Sequence, residues 1–441
     1  MGRESLAELA ARAYLYGFPL VFDLEEVDRF GKRGMGSLAA APFNQFAHAT
    51  QLAGPQDTFV SINNDTVYSI AQVDVSGGPV RLRVPDTDGR YYVLQFVDAW
   101  TNNFAYVGHR ATGTEAGSYL LVAHDWDGPE GNATAIHLPT NVATIVGRWA
   151  VDGEGDMPAV RELQAALTLE TTGGEGAGLP QPDSRVSDDL QFFEKLRVWI
   201  QAFPPAARDI AFQQEFAPLG LLEAESPYLQ PDPDLLAALR DGLATGKQNL
   251  EAGLTHGSSP AINGWKLTYH VFDYNLDYFE IGALDDPAWK LEDPKIRYVE
   301  RALAARGGLW GNHGYEAAYA MTWDDGDGDP LDGNQSYRLR FPTTPPVRAF
   351  WSVTMYDLPE FFLVANPIDR YSIGDRTPGL VYDDDGSLTI VMQAEPPTAP
   401  DDRANWLPTP TGPFRPILRM YEPEAAVFDG TYELPPIVRA S

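Results

Sequence analysis

Short segments rich in β-branched and aromatic residues recur along two stretches of the chain, and they constrain the fold most strongly. Between about residues 58 and 151 they include PVRLRVP, RYYVLQFVDAW and ATIVGRWAV, and after residue 315 they include QSYRLRF, VRAFWSVTMYD and PFRPILRMYEP. Such segments favour strands, and the Gly, Pro and Asp residues between them mark turns. Many short strands at this spacing predict a sandwich or a barrel.

Helical spacing of apolar residues prevails in the rest of the chain. Residues 4–30 predict a helix with Ser5 as its N-cap and Glu8 three positions later, interrupted at Gly17-Phe18-Pro19. Further helical patterns occur between residues 157 and 305. We therefore predict a mainly β protein with a helical domain. Its parts are an N-terminal helical segment (1–50), a first β repeat (51–151), a helical connecting region (152–305) and a second β repeat (306–441).

The charge and the lack of cysteine exclude several classes of function. The 441 residues carry a formal net charge of -30, which would repel nucleic acid and anionic membranes, so we predict neither as a partner. No cysteine is present, which excludes disulfides, thiolate metal sites and a cysteine nucleophile. The first residues show no signal peptide and no membrane-spanning run, which predicts a cytoplasmic protein. A signal peptide already removed from the chain stays open.

Two blocks of motifs resemble a known pair of domains. The segment that begins NNDTVYSIAQVDVSGG resembles the domain of unknown function 1254. The later motifs FWSVTMYD, RYSIGDRT, DGSLTI and NWLP, in this order, resemble its usual C-terminal partner, the domain of unknown function 1214. The resemblance implies a large jelly-roll-type β-sandwich built from two different repeats, with helices attached. It implies no particular activity.

Two polar clusters are candidates for acid–base chemistry. The first is Asn63-Asn64-Asp65 with Tyr68, where Asp65 is a candidate base or ligand, although such residues also cap turns. The second is Asp98, with Trp100 and Asn102 beside it, at the end of an apolar strand. A carboxyl group in a partly dry, aromatic site has a raised pKa, which suits proton transfer. A structural turn is the alternative for Asp98.

Other residues are candidates for proton transfer or substrate binding. His109 and His313 are candidate proton partners of the carboxylates. Arg370 and Arg376 offer planar forks for a carboxylate or phosphate, or else brace their loop through ion pairs with neighbouring aspartates. The aromatic candidates form a stacking platform for a flat ligand or sugar, or else belong to the core; they are Trp100, Trp351, Tyr356 and Trp406.

The sequence predicts no cofactor. The seven histidines show no HxH or HxxxH spacing, and the acidic loop DDGDGDPLDG departs from a calcium loop at its sixth and twelfth positions. Glycine-rich nucleotide loops and a GxSxG elbow are absent from the sequence. Ligands that converge from distant strands leave a divalent metal open.

These observations lead to two main hypotheses of function, with a structural or scaffold protein as a third option. The first is an enzyme without an organic redox cofactor, a hydrolase, lyase or isomerase that acts on a small polar, oxygenated or anionic substrate through carboxylate acid–base chemistry. The alternative is a protein that binds a carbohydrate or metabolite without catalysis, since sandwiches serve both purposes. The predicted partner is a small-molecule or carbohydrate ligand, and the oligomeric state, a homo-oligomer included, stays open.

Overall fold

The computed structural model of the chain describes residues 4–256, 260–269, 271–272 and 294–440. These residues form eight helices and four β-sheets, which confirms the prediction of β modules combined with helices. The helices are α1 (Leu6–Arg33), α2 (Met157–Ala166), α3 (Gln191–Ala202), α4 (Ile210–Gln214), α5 (Pro233–His256), α6 (Pro294–Gly308), α7 (Pro400–Ala404) and α8 (Ala425–Phe428).

Helix α1 begins at the predicted cap. The Ser5 hydroxyl accepts a hydrogen bond from the Glu8 amide at 3.2 Å, and the Glu8 carboxylate accepts one from the Ser5 amide at 2.8 Å. Of the predicted break or kink at Gly17-Phe18-Pro19, the break does not occur, because the helix continues to Arg33. Pro19 removes one hydrogen bond from the helix. The buried apolar face of α1 packs on α3, α5 and α6, and this packing outweighs the loss.

The first β module contains two sheets. Its strands are β1 (Gln45–His48), β2 (Thr66–Asp74), β3 (Val80–Val84), β4 (Tyr92–Asp98), β5 (Asn103–Gly108), β6 (Gly117–Ala123), β7 (Thr134–Leu138), β8 (Val142–Ala150) and β9 (Thr168–Thr171). Sheet I has the order β1-β2-β8-β4-β5 and sheet II the order β7-β6-β3-β9. One core joins the two sheets, with Val67 and Phe96 from sheet I and Leu82 and Leu121 from sheet II.

The second β module repeats this two-sheet plan. Its strands are β10 (Ala261–Ile262), β11 (Trp265–Leu267), β12 (Ala317–Met321), β13 (Tyr337–Phe341), β14 (Trp351–Asp357), β15 (Ser372–Gly374), β16 (Leu388–Gln393), β17 (Trp406–Pro408), β18 (Phe414–Tyr421) and β19 (Ile437–Arg439). Sheet III has the order β10-β11-β12-β18-β14-β15 and sheet IV the order β17-β16-β13-β19. Val353 and Leu418 of sheet III share a core with Leu339 and Ile390 of sheet IV. These strand orders do not confirm a jelly-roll connection, which stays a prediction.

Sheets I and III bring the two modules into contact. Tyr91 and Tyr106 of the first module pack against Phe350 and Tyr421 of the second in one apolar cluster. The Tyr356 hydroxyl donates a hydrogen bond to the Ile62 carbonyl across the same boundary, at 2.6 Å. Sheets I and III are therefore buried on both faces. One face of each sheet packs against the core of its own module, and the other face packs against the other module.

Close packing of α5 on α1 gives a test of the helical region. A Cβ atom at Gly242 of α5 would lie 2.4 Å from the Ala10 Cβ atom and 2.7 Å from the Ala7 carbonyl oxygen of α1. We expect Gly242→Ala to lower the free energy of unfolding by about 1–3 kcal/mol, because the new Cβ atom would overlap α1 and the two helices would have to move apart. Urea denaturation measures this change.

Gly31→Ala in α1 is the matched control, because its Cβ atom would meet only the Ala41 carbonyl oxygen, at 3.9 Å. Alanine is favoured over glycine in a helix by about 1 kcal/mol, so this variant should gain stability. Stabilisation by both substitutions would contradict the described packing of α5 on α1.

Candidate functional site

A cavity of about 110 Å³ lies where sheets I and III meet helix α6. Strands β2 and β8 supply one wall, strands β12 and β18 supply another, and the last two turns of α6 close a third side. An apolar cavity of roughly 150 Å³ holds one benzene molecule, so this space suits a ligand about the size of a single ring.

The alternation of strand β18 produces the charged wall of the cavity. Arg415, Ile417, Arg419 and Tyr421 line the cavity, whereas Leu418 between them belongs to the core of the second module. Successive side chains of a strand point to opposite faces, so one buried strand serves both the core and the cavity. The neighbouring strand β12 does the same, with Tyr319 and Met321 towards the cavity.

The opposite wall adds a third arginine. Arg148 of β8 is the cross-strand neighbour of Tyr68 on β2, and both line the cavity. The Arg148 guanidinium donates to the Gln95 side-chain oxygen at 2.7 Å and to the Trp310 carbonyl at 2.7 Å. These partners are neutral, so Arg148 keeps its positive charge unpaired.

None of the three cavity arginines has a carboxylate oxygen within 4.0 Å among the described residues. Arg419 donates to the Thr354 hydroxyl at 3.0 Å and to the Ser61 carbonyl at 2.6 Å. Arg415 is fully buried and donates to the Ser61 hydroxyl, while its Nε has no hydrogen-bond partner. Burial lowers the pKa of Arg415 to about 9, so the group is still charged at neutral pH.

Two residues of the cavity wall have a left-handed backbone. Ser61 has a φ of 52° and Trp310 a φ of 61°, values that residues other than glycine adopt rarely. The Ser61 hydroxyl donates to the Gly307 carbonyl of α6 at 2.8 Å while it accepts from Arg415. Such strain persists only where the surrounding structure holds it, and it is frequent at binding sites.

The rest of the lining is largely apolar, with two further charged groups. Aromatic and aliphatic side chains cover most of it, among them Phe59, Phe272, Leu303, Trp310 and Trp323. Lys266 and Glu300 also line the cavity, and burial lowers the pKa of Lys266 and raises that of Glu300. An apolar space with convergent charged groups is the usual form of a small-molecule site.

The first predicted cluster lies beside this cavity. Asn63 and Tyr68 line the cavity, and the side-chain amide of Asn63 donates a hydrogen bond to the Tyr68 hydroxyl at 2.7 Å. Asp65 is buried and accepts hydrogen bonds from the Tyr421 hydroxyl at 2.9 Å and the Ser352 hydroxyl at 2.7 Å. The cluster thus crosses the boundary between the modules. Asn64 turns elsewhere and donates to the Ala53 carbonyl.

The second predicted cluster lies at the end of β4, where Trp100 packs against α1 and α3, away from the residues that line the cavity. Asp98 is buried, and its carboxylate accepts from the Trp100 amide at 2.9 Å, the Asn102 amide at 2.8 Å and the Asn102 side chain at 2.8 Å. Burial raises the pKa of Asp98 to about 6, as the sequence predicted in direction. The Asn102 oxygen accepts from Arg301 of α6, so this turn fixes the helix that closes the cavity.

The two candidate histidines occupy different environments. His109 is about one third exposed, and its Nδ1 lies 2.6 Å from the Glu422 carboxylate. His313 is fully buried against the Tyr106 ring, and burial lowers its pKa to about 3, so it is neutral. The structure brings neither histidine within hydrogen-bond distance of Asp98 or Asp65 among the described contacts.

The remaining candidates serve mainly as braces. Arg370 donates to the Ala404 and Trp406 carbonyls, and Arg376 donates to the Asp65 carbonyl across the module boundary. Trp100, Trp351, Tyr356 and Trp406 are all at most 2% exposed. They present no open face to solvent. The roles proposed for these residues from the sequence stay predictions.

The charged groups of the cavity were missed by sequence reasoning. Arg148, Arg415 and Arg419 stand inside the segments ATIVGRWAV and PFRPILRMYEP, whose composition predicts strands and gives no sign of a charged site. An arginine amid residues that otherwise indicate a fully buried strand is the signal that could have found them. Glu300 gives no such signal, because charged residues are common on helices.

The described residues offer no obvious metal centre or membrane segment. No group of three His, Cys, Asp or Glu side chains in the described ranges could hold a metal ion. No helix in the described part of the chain is both long and apolar enough to cross a membrane. His270, one of the seven histidines, lies outside the described residues.

The fold and cavity define a two-module β protein with a largely apolar cavity, lined by three arginines, between its modules. Within that class, the chain carries two domains in tandem. Models of two families, each described as a protein of unknown function, match it: DUF1254 over residues 43–171 and DUF1214 over residues 316–425. The two domains follow each other from the N- to the C-terminus in the order that the motifs predicted.

A solved structure shows the same fold. The crystal structure of the VPA0106 protein from Vibrio parahaemolyticus is similar with a TM-score of 0.69, 24% sequence identity and coverage of 99% of this chain and 100% of that chain. A crystal structure of an uncharacterized protein from Burkholderia cenocepacia has a TM-score of 0.46 and 13% identity, over 98% of this chain and 89% of that chain. No curated protein matches the chain.

A buried carboxyl at the module boundary predicts a pH-dependent stability. Glu316 accepts from the Tyr91 hydroxyl at 2.7 Å, and its Oε2 has no partner among the described residues. Burial, with Glu422 nearby, raises the pKa of Glu316 to about 7. The folded state then binds more protons than the unfolded state between about pH 4.5 and 7, so stability falls as pH rises through this range.

We expect Glu316→Gln to remove this contribution. At pH 8 the variant should exceed the wild type in unfolding free energy by up to about 3 kcal/mol, and at pH 4.5 the two should agree. Urea denaturation at both pH values measures the difference, with the exposed Glu395→Gln as control. Equal stability of Glu316→Gln and wild type at pH 8 would contradict a raised pKa at Glu316.

Proposed function

We propose that the protein binds a small organic anion, a carboxylate with an apolar body of about one ring, in the cavity between its modules. The observation that carries this proposal is the set of three buried arginines without a carboxylate partner. Arg415 is the anchor, because it is fully buried and its Nε is free. The planar guanidinium matches the two oxygens of a carboxylate.

The energetics of burial favour a bound anion. A charge removed from water is costly unless an opposite charge and hydrogen bonds compensate it. The chain as a whole has 62 acidic and 32 basic residues, yet no carboxylate oxygen of the described residues lies within 4.0 Å of these arginines, and Asp65 acts on Arg419 only from a greater distance. A ligand that brings its own negative charge would supply the missing partner, and the aromatic lining would hold its apolar body.

An anionic substrate agrees with the enzyme hypothesis of a hydrolase, lyase or isomerase that needs no organic redox cofactor. The hydrogen bonds of Asp98 support a positioning role, since they fix Asn102 and through it Arg301 of α6. Carbohydrate stacking has less support, because Trp100, Trp351 and Trp406 are all buried. The anion site is common to the enzyme and to a binding protein.

The proposal is tested by thermal unfolding of the wild type and Arg415→Met with benzoate, phenylphosphonate and neutral benzamide. We expect benzoate to stabilise the wild type, by about 2.7 kcal/mol at a hundred times its Kd. Arg415→Met should lose this effect. Without ligand the variant should be at least as stable as the wild type, because methionine replaces a buried unpaired charge.

Arg340→Met is the matched control. Arg340 lies on β13 of sheet IV, is about half exposed and forms an ion pair with Asp385. This substitution removes the same formal charge and should keep the response to benzoate. Stabilisation by phenylphosphonate alone would change the ligand class to phosphorylated compounds. An equal response of Arg415→Met and wild type to benzoate would contradict the site.

A further inference from the structure

We propose that Glu300 takes up a proton when the anion binds, so that the cavity captures an anion together with one proton. This inference rests on the proposed function and assigns a proton-carrying group to the same site. Its basis is the juxtaposition, across one small cavity, of a carboxyl group without partners and an arginine with a free Nε.

Glu300 lies on the stripe of α6 that faces the cavity. The residues of this stripe recur at helical spacing, and all of them line the cavity: Glu300, Leu303, Ala304, Gly307 and Gly308. Another face of the same helix is fixed in the protein interior, where Arg297 donates to Asp209 at 2.7 Å. The helix is thereby held, and its partly buried Glu300 remains directed into the cavity.

The lack of partners at Glu300 contrasts with the buried carboxylates. Every buried Asp and Glu of the described residues accepts at least one hydrogen bond; for example, Asp65 accepts from Tyr421 and Glu194 from Arg197. Glu300 has neither a hydrogen bond nor an ion pair in the described structure. Burial alone raises its pKa, which favours the protonated form.

The groups around the cavity set the response of Glu300 to a ligand. The cations are Arg148 from β8, Lys266 from β11, and Arg415 and Arg419 from β18. The other titratable side chains of the lining are Tyr68 from β2, Tyr319 from β12 and Tyr421 from β18. Burial raises the pKa of Tyr319 and Tyr421, so their hydroxyls stay neutral. Glu300 is the one acidic side chain among the described lining residues.

An anion bound in this small cavity changes the protonation equilibrium of the Glu300 carboxyl group. The ligand places a negative charge in the same cavity as Glu300, and it offsets the positive charge of the cavity arginines. Both effects raise the pKa of Glu300. A proton from solvent then binds the Glu300 carboxylate, and the resulting carboxylic acid donates a hydrogen bond to the ligand. By linkage, affinity for the anion should fall up to about tenfold for each pH unit above the pKa of Glu300.

The test is isothermal titration of the full chain with benzoate between about pH 6 and pH 8. Titration in imidazole and in Bis-Tris at one pH gives the number of protons taken up, because the two buffers release protons with different heats. We expect the wild type to take up as much as about one proton per benzoate. We expect Glu300→Gln to take up none and to bind benzoate with an affinity that does not vary with pH.

Glu300→Gln separates proton transfer from a structural role, because the glutamine amide donates a hydrogen bond as the protonated carboxyl would. Its affinity for benzoate at pH 8 should match or exceed that of the wild type. Glu162→Gln, at an exposed position of α2, is the control and should keep the proton uptake. Benzoate binding by the wild type without proton uptake overturns the role of Glu300 alone. No binding of benzoate to the wild type overturns the proposed function and this inference together.

Discussion

The face-to-face contact of sheets I and III is the constraint on which the rest of the structure depends. Each of these sheets is buried on both faces, so the face that meets the other module must be apolar or have its polar groups bonded. Tyr91, Phe350 and Tyr421 form the apolar part of this contact. In its polar part, the buried Asp65 carboxylate is hydrogen-bonded to the Tyr421 and Ser352 hydroxyls. At the cavity the rule fails, since Arg415 is left with a free donor. This free donor lies beside the left-handed backbone of Ser61, a combination that is frequent at binding sites.

Much of the fold could be predicted from the sequence because local chemistry dictates it. The N-cap of α1 and the strands of both modules follow from residue spacing and turn residues. The contact between the modules could not be predicted, since no local pattern states which face of a strand meets which partner. The continuation of α1 through Pro19 has the same origin, because packing against distant helices outweighed a local helix breaker.

The site was predicted only where its polar residues cluster in sequence. Asn63, Asp65 and Tyr68 were found in this way, and they do lie at the module boundary beside the cavity. Arg148 and Arg415 come from strands more than two hundred and sixty positions apart, and each stands alone among apolar neighbours. Asp98 was also singled out from its sequence neighbours, but it lies outside the cavity. Its surroundings raise its pKa as predicted, yet its oxygens are occupied by the turn that it stabilises.

The cavity between the modules is the proposed site for a small organic anion. The most direct measurement is a crystal structure of the full chain with 4-bromobenzoate, in which anomalous scattering locates the bromine without ambiguity. We expect an anomalous peak inside the cavity, with the ligand carboxylate within hydrogen-bond distance of the Arg415 Nε. A cavity that contains only water, or a bromine peak confined to the outer surface, would contradict it.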